Sequence, residues 1–184
     1  MHAAAALVVA LDELNRTMPG VTVNVGRIDG GGPSNVVPDL AVVRFNCRIP
    51  TPQFQARVEG ELKRIVEEID QRDGINVELI GGFRSPPKIV DTPTQRLFDQ
   101  VADCGRELGL SLTWRSSGGV SDGNKLAAAG LPVIDTLGPR GGNLHSTEEF
   151  LLLDSLTERA KLTALLLMKL GAGEIHSMQS TNAS

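Results

Sequence analysis

The alternation of apolar and polar side chains over residues 42–49 constrains the fold more than any other feature of the sequence. Every second side chain in this segment is apolar: Val43, Phe45, Cys47 and Ile49. A period of two is the signature of a β-strand with one buried face. Antiparallel sheets tolerate water on one side, so the pattern predicts an antiparallel sheet that is covered by helices on one face and carries Arg44 and Arg48 on the other.

Helices and further strands surround this segment. A leucine repeat over residues 7–14 and an apolar stripe over 54–69 have helical spacing, whereas residues 21–25 and 75–79 alternate like strands. Residues 1–84 therefore read as helix, strand, strand, helix, strand. This order is an α+β module of the ferredoxin-like β-α-β-β-α-β type without its first strand, so the chain is expected to begin inside that motif.

A change of organisation follows the segment GGFRSPPK, which has the glycines and prolines of a linker. Strand patterns at 110–115 and 131–137 then alternate with three helical patterns. This alternation predicts that residues 85–173 are the C-terminal part of a doubly wound α/β domain. The polar residues 174–184 are expected to form a disordered tail.

Composition narrows the possible partners. The 18 basic and 22 acidic residues are mixed along the chain and give a net charge of −4, so no basic surface for nucleic acid is expected. No apolar run reaches the roughly 20 residues that a membrane-spanning helix needs. Cys47 and Cys104 each lie on the apolar side of a segment and are interpreted as reduced, buried thiols. Together with the absence of a signal-peptide pattern, this favours a cytoplasmic protein.

His145 is the first candidate for chemistry, because it follows a predicted strand in the glycine-rich loop GPRGGNLHSTEEF. A lone loop histidine is either a hydrogen-bonded structural residue or one ligand of a metal. A zinc site needs three or four ligands, and the sequence has no H-x-D, H-x-x-x-H or C-x-x-C pair. The residues alone leave both interpretations open.

Ser121 lies in a literal G-x-S-x-G pattern between a predicted strand and a helix. A serine hydrolase would use Ser121 as nucleophile, Asp135 as orienting carboxylate and His145 as base. However, Asp135 follows Ser121 closely and lies within a predicted strand. The favoured interpretation is that Ser121 caps the next helix.

Asn35 and Arg48 also have two interpretations. Asn35 is a turn former or a substrate ligand, and Arg48 is a solvated side chain or a guanidinium fork for a carboxylate. The residue types alone do not choose between them.

Taken in order, these segments resemble the co-catalytic zinc peptidases that include glutamate carboxypeptidase, aminoacylase, acetylornithine deacetylase and succinyl-diaminopimelate desuccinylase. The resemblance covers residues 3 to about 173 and rests on GRIDGGGPSNVVPDLAVVRFNCRIP and SSGGVSDGNKLAAAGLPVIDTLGPRGGNLHSTEEF. It implies that His145 binds one of two zinc ions and that residues 1–84 form a dimerisation domain. The implied substrate-binding positions are Asn35, Arg48, Arg84, Gly118 and Gly119.

The resemblance also implies an amide hydrolase that acts on an N-acyl amino acid or peptide with a free carboxylate, and that forms a homodimer. The family's other zinc ligands and its general-base glutamate have no counterpart in this sequence. We therefore expect this chain to be a truncated form that is inactive and binds little or no zinc by itself. The alternative is a non-catalytic dimerisation or carboxylate-binding module.

Overall fold

The computed structural model describes residues 1–174 and divides the chain into two compact units between Pro87 and Lys88. The sequence pattern places the boundary nearby, after residue 84. Apart from Glu174, the tail predicted at 174–184 lies outside the described residues.

The first unit is a two-stranded antiparallel sheet with two helices on one face. Along the chain it contains α1 (His2–Thr17), β1 (Thr22–Gly30), β2 (Ala41–Arg48) and α2 (Phe54–Asp70). Its core is aliphatic and joins both helices to one side of the sheet: Leu11, Leu14, Met18, Val21, Val23, Val58, Leu62 and Ile65. The antiparallel sheet with helices on one side is confirmed.

The open face of the sheet is polar because of the strand register. Thr22 pairs with Arg48 and Asn24 with Asn46. A bulge between Val25 and Arg27 then keeps Arg27 opposite Arg44. These two arginines would repel each other, but both form ion pairs with Asp29.

Over its described residues, 88–174, the second unit contains three helices and a short hairpin. The helices are α3 (Thr92–Glu107), α4 (Asp122–Ala128) and α5 (Asp154–Gly171), and the hairpin pairs β3 (Gly141–Gly142) with β4 (Phe150–Leu151). Its core lies between α3 and α5: Val101, Cys104, Leu162 and Leu166. Asp91 caps α3 by accepting the backbone N–H of Thr94 at 2.8 Å.

Three predicted strands differ in the structure. Residues 75–79, 110–115 and 131–137 are not paired as strands, although Leu112 and Ile134 pack against the core of the second unit. A strand is defined by hydrogen bonds to a neighbour, and local alternation does not supply that neighbour. The predictions of strand at these three segments were therefore wrong for the described residues.

Candidate metal and substrate site

The loop between β3 and β4 holds His145 in an unusual backbone conformation. His145 has φ +66° and Asn143 has φ +55°, both in the left-handed region that non-glycine residues rarely adopt. The loop is closed by the backbone N–H of Ser146, which donates to the carbonyl of Asn143 at 3.1 Å. The N–H of His145 donates to Oε2 of Glu149 at 3.1 Å, so Glu149 orients this turn. The result is an exposed imidazole on a tightly folded loop.

Glycine is required at the base of this loop. A Cβ added at Gly141 would lie 2.3 Å from the carbonyl oxygen of Phe150 on the facing strand. The hairpin therefore depends on a close backbone approach that no side chain permits.

The ligand set around His145 does not fit a complete metal centre. Residues 1–174 contain no group of three histidine, cysteine, aspartate or glutamate side chains that could hold a metal ion. A zinc site needs three or four protein or water ligands in defined geometry. His145 can supply one of these ligands, and the described residues do not complete the set.

A charged network lies at the start of α4, next to the loop that contains Gly118 and Gly119. Asp135 accepts a hydrogen bond from Nζ of Lys88 at 2.6 Å and another from the hydroxyl of Ser121. Desolvation would raise the pKa of Asp135, but the hydrogen bonds from Lys88 and Ser121 and the positive charge of Lys88 outweigh it, so the pKa lies below its ordinary value. Asp135 therefore remains an anion between two donors.

Ser121 is the N-cap of α4. Its hydroxyl oxygen accepts the N–H of Gly123 at 3.1 Å, and its own N–H donates to Oδ1 of Asn124 at 3.1 Å, which completes a capping box. The predicted capping role is confirmed. In a catalytic triad a histidine would stand between serine and aspartate, whereas Ser121 here bonds Asp135 directly. The geometry does not support the serine-hydrolase alternative.

Gly118 and Gly119 lie in the exposed loop immediately before this cap. The N–H of Gly119 donates to the hydroxyl of Ser117 at 3.2 Å, which bends the loop locally. The capping network behind them fixes where this loop enters α4.

The remaining candidates belong to the first unit. Arg48 ends β2 on the open face of the sheet, and its Nε donates to Oδ1 of Asn46 at 3.2 Å. Asn35 lies in the loop between β1 and β2. The backbone N–H of Val36 donates a hydrogen bond to the carbonyl of Pro33 at 3.0 Å, which closes a turn around Asn35. Asn35, Arg48 and Arg84 are all exposed. Within residues 1–174, no hydrogen bond joins any two of these three.

Sequence reasoning missed Lys88. It lies in a proline-rich linker, and its partner Asp135 is 47 residues away along the chain. No local sequence pattern predicts an ion pair between residues so far apart along the chain, so the pair is seen only in the tertiary structure.

Comparison with known proteins shows what the chain is similar to. Residues 1–74 match the peptidase dimerisation domain of the M20 family. Succinyl-diaminopimelate desuccinylase from Nitrosomonas europaea is 32% identical over 161 residues, which cover 86% of this chain and 41% of that protein. The enzyme of the same name from Bordetella pertussis is 33% identical over 147 residues, or 79% of this chain and 37% of that protein.

Solved structures agree on the fold. The aminopeptidase PepT of Bacillus cereus superposes with a TM-score of 0.72 at 22% identity, over 92% of this chain and 45% of that one. A dinuclear metal-binding peptidase of the M20 family from Bacillus subtilis gives 0.65 at 20% identity, over 90% and 44%. The chain is thus similar to the desuccinylases over most of its length, and its first 74 residues match the M20 peptidase dimerisation domain.

The chain spans about two-fifths of the length of the curated relatives that it matches. The match to the peptidase dimerisation domain covers its first 74 residues. Over residues 1–174, no helix combines the length and the apolar character needed to cross a membrane.

Proposed function

We propose that this chain is part of a zinc-dependent amidohydrolase that cleaves an amide bond of an N-acyl amino acid or peptide carrying a free carboxylate. The observation that carries the proposal is the 161-residue match to succinyl-diaminopimelate desuccinylase. A match of that length cannot fit within either unit and therefore includes residues of both. The likeness thus extends beyond the dimerisation domain.

In this proposal the candidate residues of each unit have separate roles. Arg48 holds a substrate carboxylate, because its planar fork matches both carboxylate oxygens, and Asn35 and Arg84 add hydrogen-bond donors. The backbone of Gly118-Gly119 lines the pocket. His145 supplies one metal ligand, and the other ligands must come from outside residues 1–174.

Two further features belong to the same proposal. The first unit forms a homodimer, which is supported by its match to a peptidase dimerisation domain. A reducing, cytoplasmic location is supported by the free thiols of Cys47 and Cys104, whose pKa values are raised by burial.

We propose that these 184 residues alone bind no stoichiometric zinc and hydrolyse no amide, since one histidine cannot hold a two-metal centre. Native mass spectrometry after exposure to zinc tests the first point and also counts subunits. Turnover of N-succinyl-diaminopimelate tests the second point.

The expected result is a dimer without stoichiometric metal and without turnover. Two zinc ions per subunit, lost in His145→Ala and retained in His2→Ala, would overturn the proposed lack of stoichiometric zinc and assign His145 to the metal site. Zinc retained in both variants would remove His145 from the site.

Substrate binding is tested separately by calorimetric titration of the chain with N-succinyl-diaminopimelate. Arg48→Ala should weaken binding at least tenfold, and Arg48→Lys nearly as much, because a single ammonium cannot form the fork. Arg57→Ala, an exposed arginine on α2, is the matched control. Equal affinities for all variants would exclude Arg48 as the carboxylate anchor.

A non-catalytic module remains the second candidate, favoured by the absence of a metal-binding group within residues 1–174. It predicts carboxylate binding that depends on Arg48, with no hydrolysis under any metal condition or in any assembly.

A further inference from the structure

The open face of the sheet in the first unit concentrates positive charge. Three arginines lie on it, Arg27 on β1 and Arg44 and Arg48 on β2. The only acidic side chain within the two strands is Asp29, which forms ion pairs with Arg27 and Arg44. Three positive charges and one negative charge leave this face with a net charge of +2. The whole chain, in contrast, has a net charge of −4.

The strand register creates this excess of positive charge. Because of the bulge in β1, Arg27 lies directly opposite Arg44 on the facing strand, and like charges in that position destabilise a sheet. Asp29 offsets only part of the repulsion: Nε of Arg27 donates to its Oδ1 at 2.7 Å, and Nη1 of Arg44 donates to its Oδ2. Two guanidinium groups and one carboxylate leave one positive charge without a counter-ion. These two arginines are called the Arg27–Arg44 pair.

The Arg27–Arg44 pair retains hydrogen-bond donors for a ligand. Each guanidinium group has five N–H donors, and the contacts with Asp29 occupy one nitrogen of each group. The side chains of Arg27 and Arg44 are 70% and 60% exposed, so a small molecule can reach them. A carboxylate is the anion whose two oxygens match the forked donors of arginine. The pair therefore suits a second carboxylate on the open face.

The position of Arg48 sets the distance to the first carboxylate. Arg44 and Arg48 are four residues apart on the same face of β2, which separates their Cα atoms by about 13 Å. Asn46 lies between them, and its Oδ1 accepts a hydrogen bond from Nε of Arg48 at 3.2 Å. This bond draws the side chain of Arg48 along the strand toward Arg44. A short ligand with a carboxylate at each end fits between the two guanidinium groups.

We propose that the Arg27–Arg44 pair is a second carboxylate subsite, so that the chain prefers an N-acyl amino acid whose acyl group itself ends in a carboxylate. The inference rests on the proposed function for the role of Arg48, which holds the carboxylate of the amino acid.

The test compares two ligands that differ only in the second carboxylate. N-succinyl-leucine has a carboxylate at the end of its acyl group, whereas N-butyryl-leucine has a methyl group there. Each is titrated calorimetrically into the full 184-residue chain at low ionic strength. N-succinyl-leucine should bind about threefold more tightly or better, as expected for an ion pair at exposed side chains. Added salt should reduce this preference, because exposed charges are screened.

Variants assign the preference to the pair. Arg44→Gln removes one charge and should bring the two affinities close to equality without changing the affinity for N-butyryl-leucine. A loss of folding would instead weaken both ligands together, and thermal unfolding of each variant checks for it. The matched control is Arg16→Gln on α1, because Arg16 is 78% exposed and ion-paired with Glu13. It should keep the full preference.

The outcomes separate this inference from the proposed function. Equal affinities of the wild type for both ligands, or a preference that survives Arg44→Gln, would overturn the second subsite. The proposed anchor would still stand if Arg48→Ala weakened both ligands. A preference that is lost in Arg44→Gln, with binding unchanged in Arg48→Ala, would sustain the subsite and count against Arg48. Binding of neither ligand would overturn both.

Discussion

Asp135→Asn is expected to destabilise the second unit by more than an ordinary surface change. The substitution removes the negative charge beside Lys88 while retaining an oxygen that can accept from Ser121. The side chains of Lys88 and Asp135 are only 17% and 27% exposed, so Lys88 would be left partly buried without its counter-ion.

The magnitude follows from two limits. Breaking a fully buried ion pair costs about 3–5 kcal/mol, and an exposed pair contributes about 0–1 kcal/mol. With roughly a fifth to a quarter of each side chain still in water, and with the Ser121 contact preserved, we expect a loss of about 2 kcal/mol in the free energy of unfolding. At an m-value of about 2 kcal/mol/M, the urea midpoint should fall by about 1 M.

The chain provides its own probe. Trp114 is the single tryptophan and stacks on Phe98 in the second unit, with ring centroids 4.3 Å apart. Its fluorescence therefore reports unfolding of this unit. The matched control is Asp122→Asn, which breaks an ion pair with Lys125 whose side chains are 91% and 61% exposed, respectively, and which should change the free energy of unfolding by less than about 0.5 kcal/mol.

The pH dependence gives a second check with a definite sign. The pKa of folded Asp135 lies below its ordinary value, so the ion pair stabilises the folded state fully above the unfolded pKa of about 3.9. That contribution is lost as the pH falls through the folded pKa. The difference between wild type and Asp135→Asn should be constant from about pH 6 to 8 and shrink below about pH 4. A midpoint shift no larger than that of Asp122→Asn would refute the reasoning.

Three further predictions concern packing. Leu162→Ala removes a side chain that is 0% exposed between α3 and α5 and should cost about 2–5 kcal/mol, measured by urea unfolding with Trp114 fluorescence; a loss below about 1 kcal/mol would contradict this core. Gly123→Ala should lower the free energy of unfolding by about 1–3 kcal/mol in the same assay, because its Cβ would lie 2.6 Å from Oδ2 of Asp135. An unchanged free energy of unfolding would show that Asp135 can move aside without cost. Gly60→Ala adds a Cβ to open space in α2 and should stabilise the first unit by about 0.5–1 kcal/mol, measured by circular dichroism; destabilisation would contradict the exposed placement.

Elements with a strong local pattern were predictable from the sequence. The alternation at 42–49 predicts β2, and the apolar stripe at 54–69 predicts α2. The cap at Ser121 was predictable for the same reason, since the hydroxyl and the N–H groups that it satisfies lie within one turn.

Non-local pairing was not predictable. The side-chain patterns at 110–115 and 131–137 favour strands, but a ladder also needs a partner strand in register, which those residues do not specify. The candidate site shows the same limit. Residue types single out His145, but they do not give the number of ligands around it.

The sequence by itself determined the class of each unit, its helices and the strands predicted at 21–25 and 42–49, because those depend on side-chain periodicity over a few residues. Only the tertiary structure decided that Lys88 pairs with Asp135 and that α3 and α5 form the core of the second unit. Both depend on contacts between residues far apart along the chain. Such contacts follow from how helices and strands pack together, and a local sequence pattern does not indicate which distant residue will be in contact.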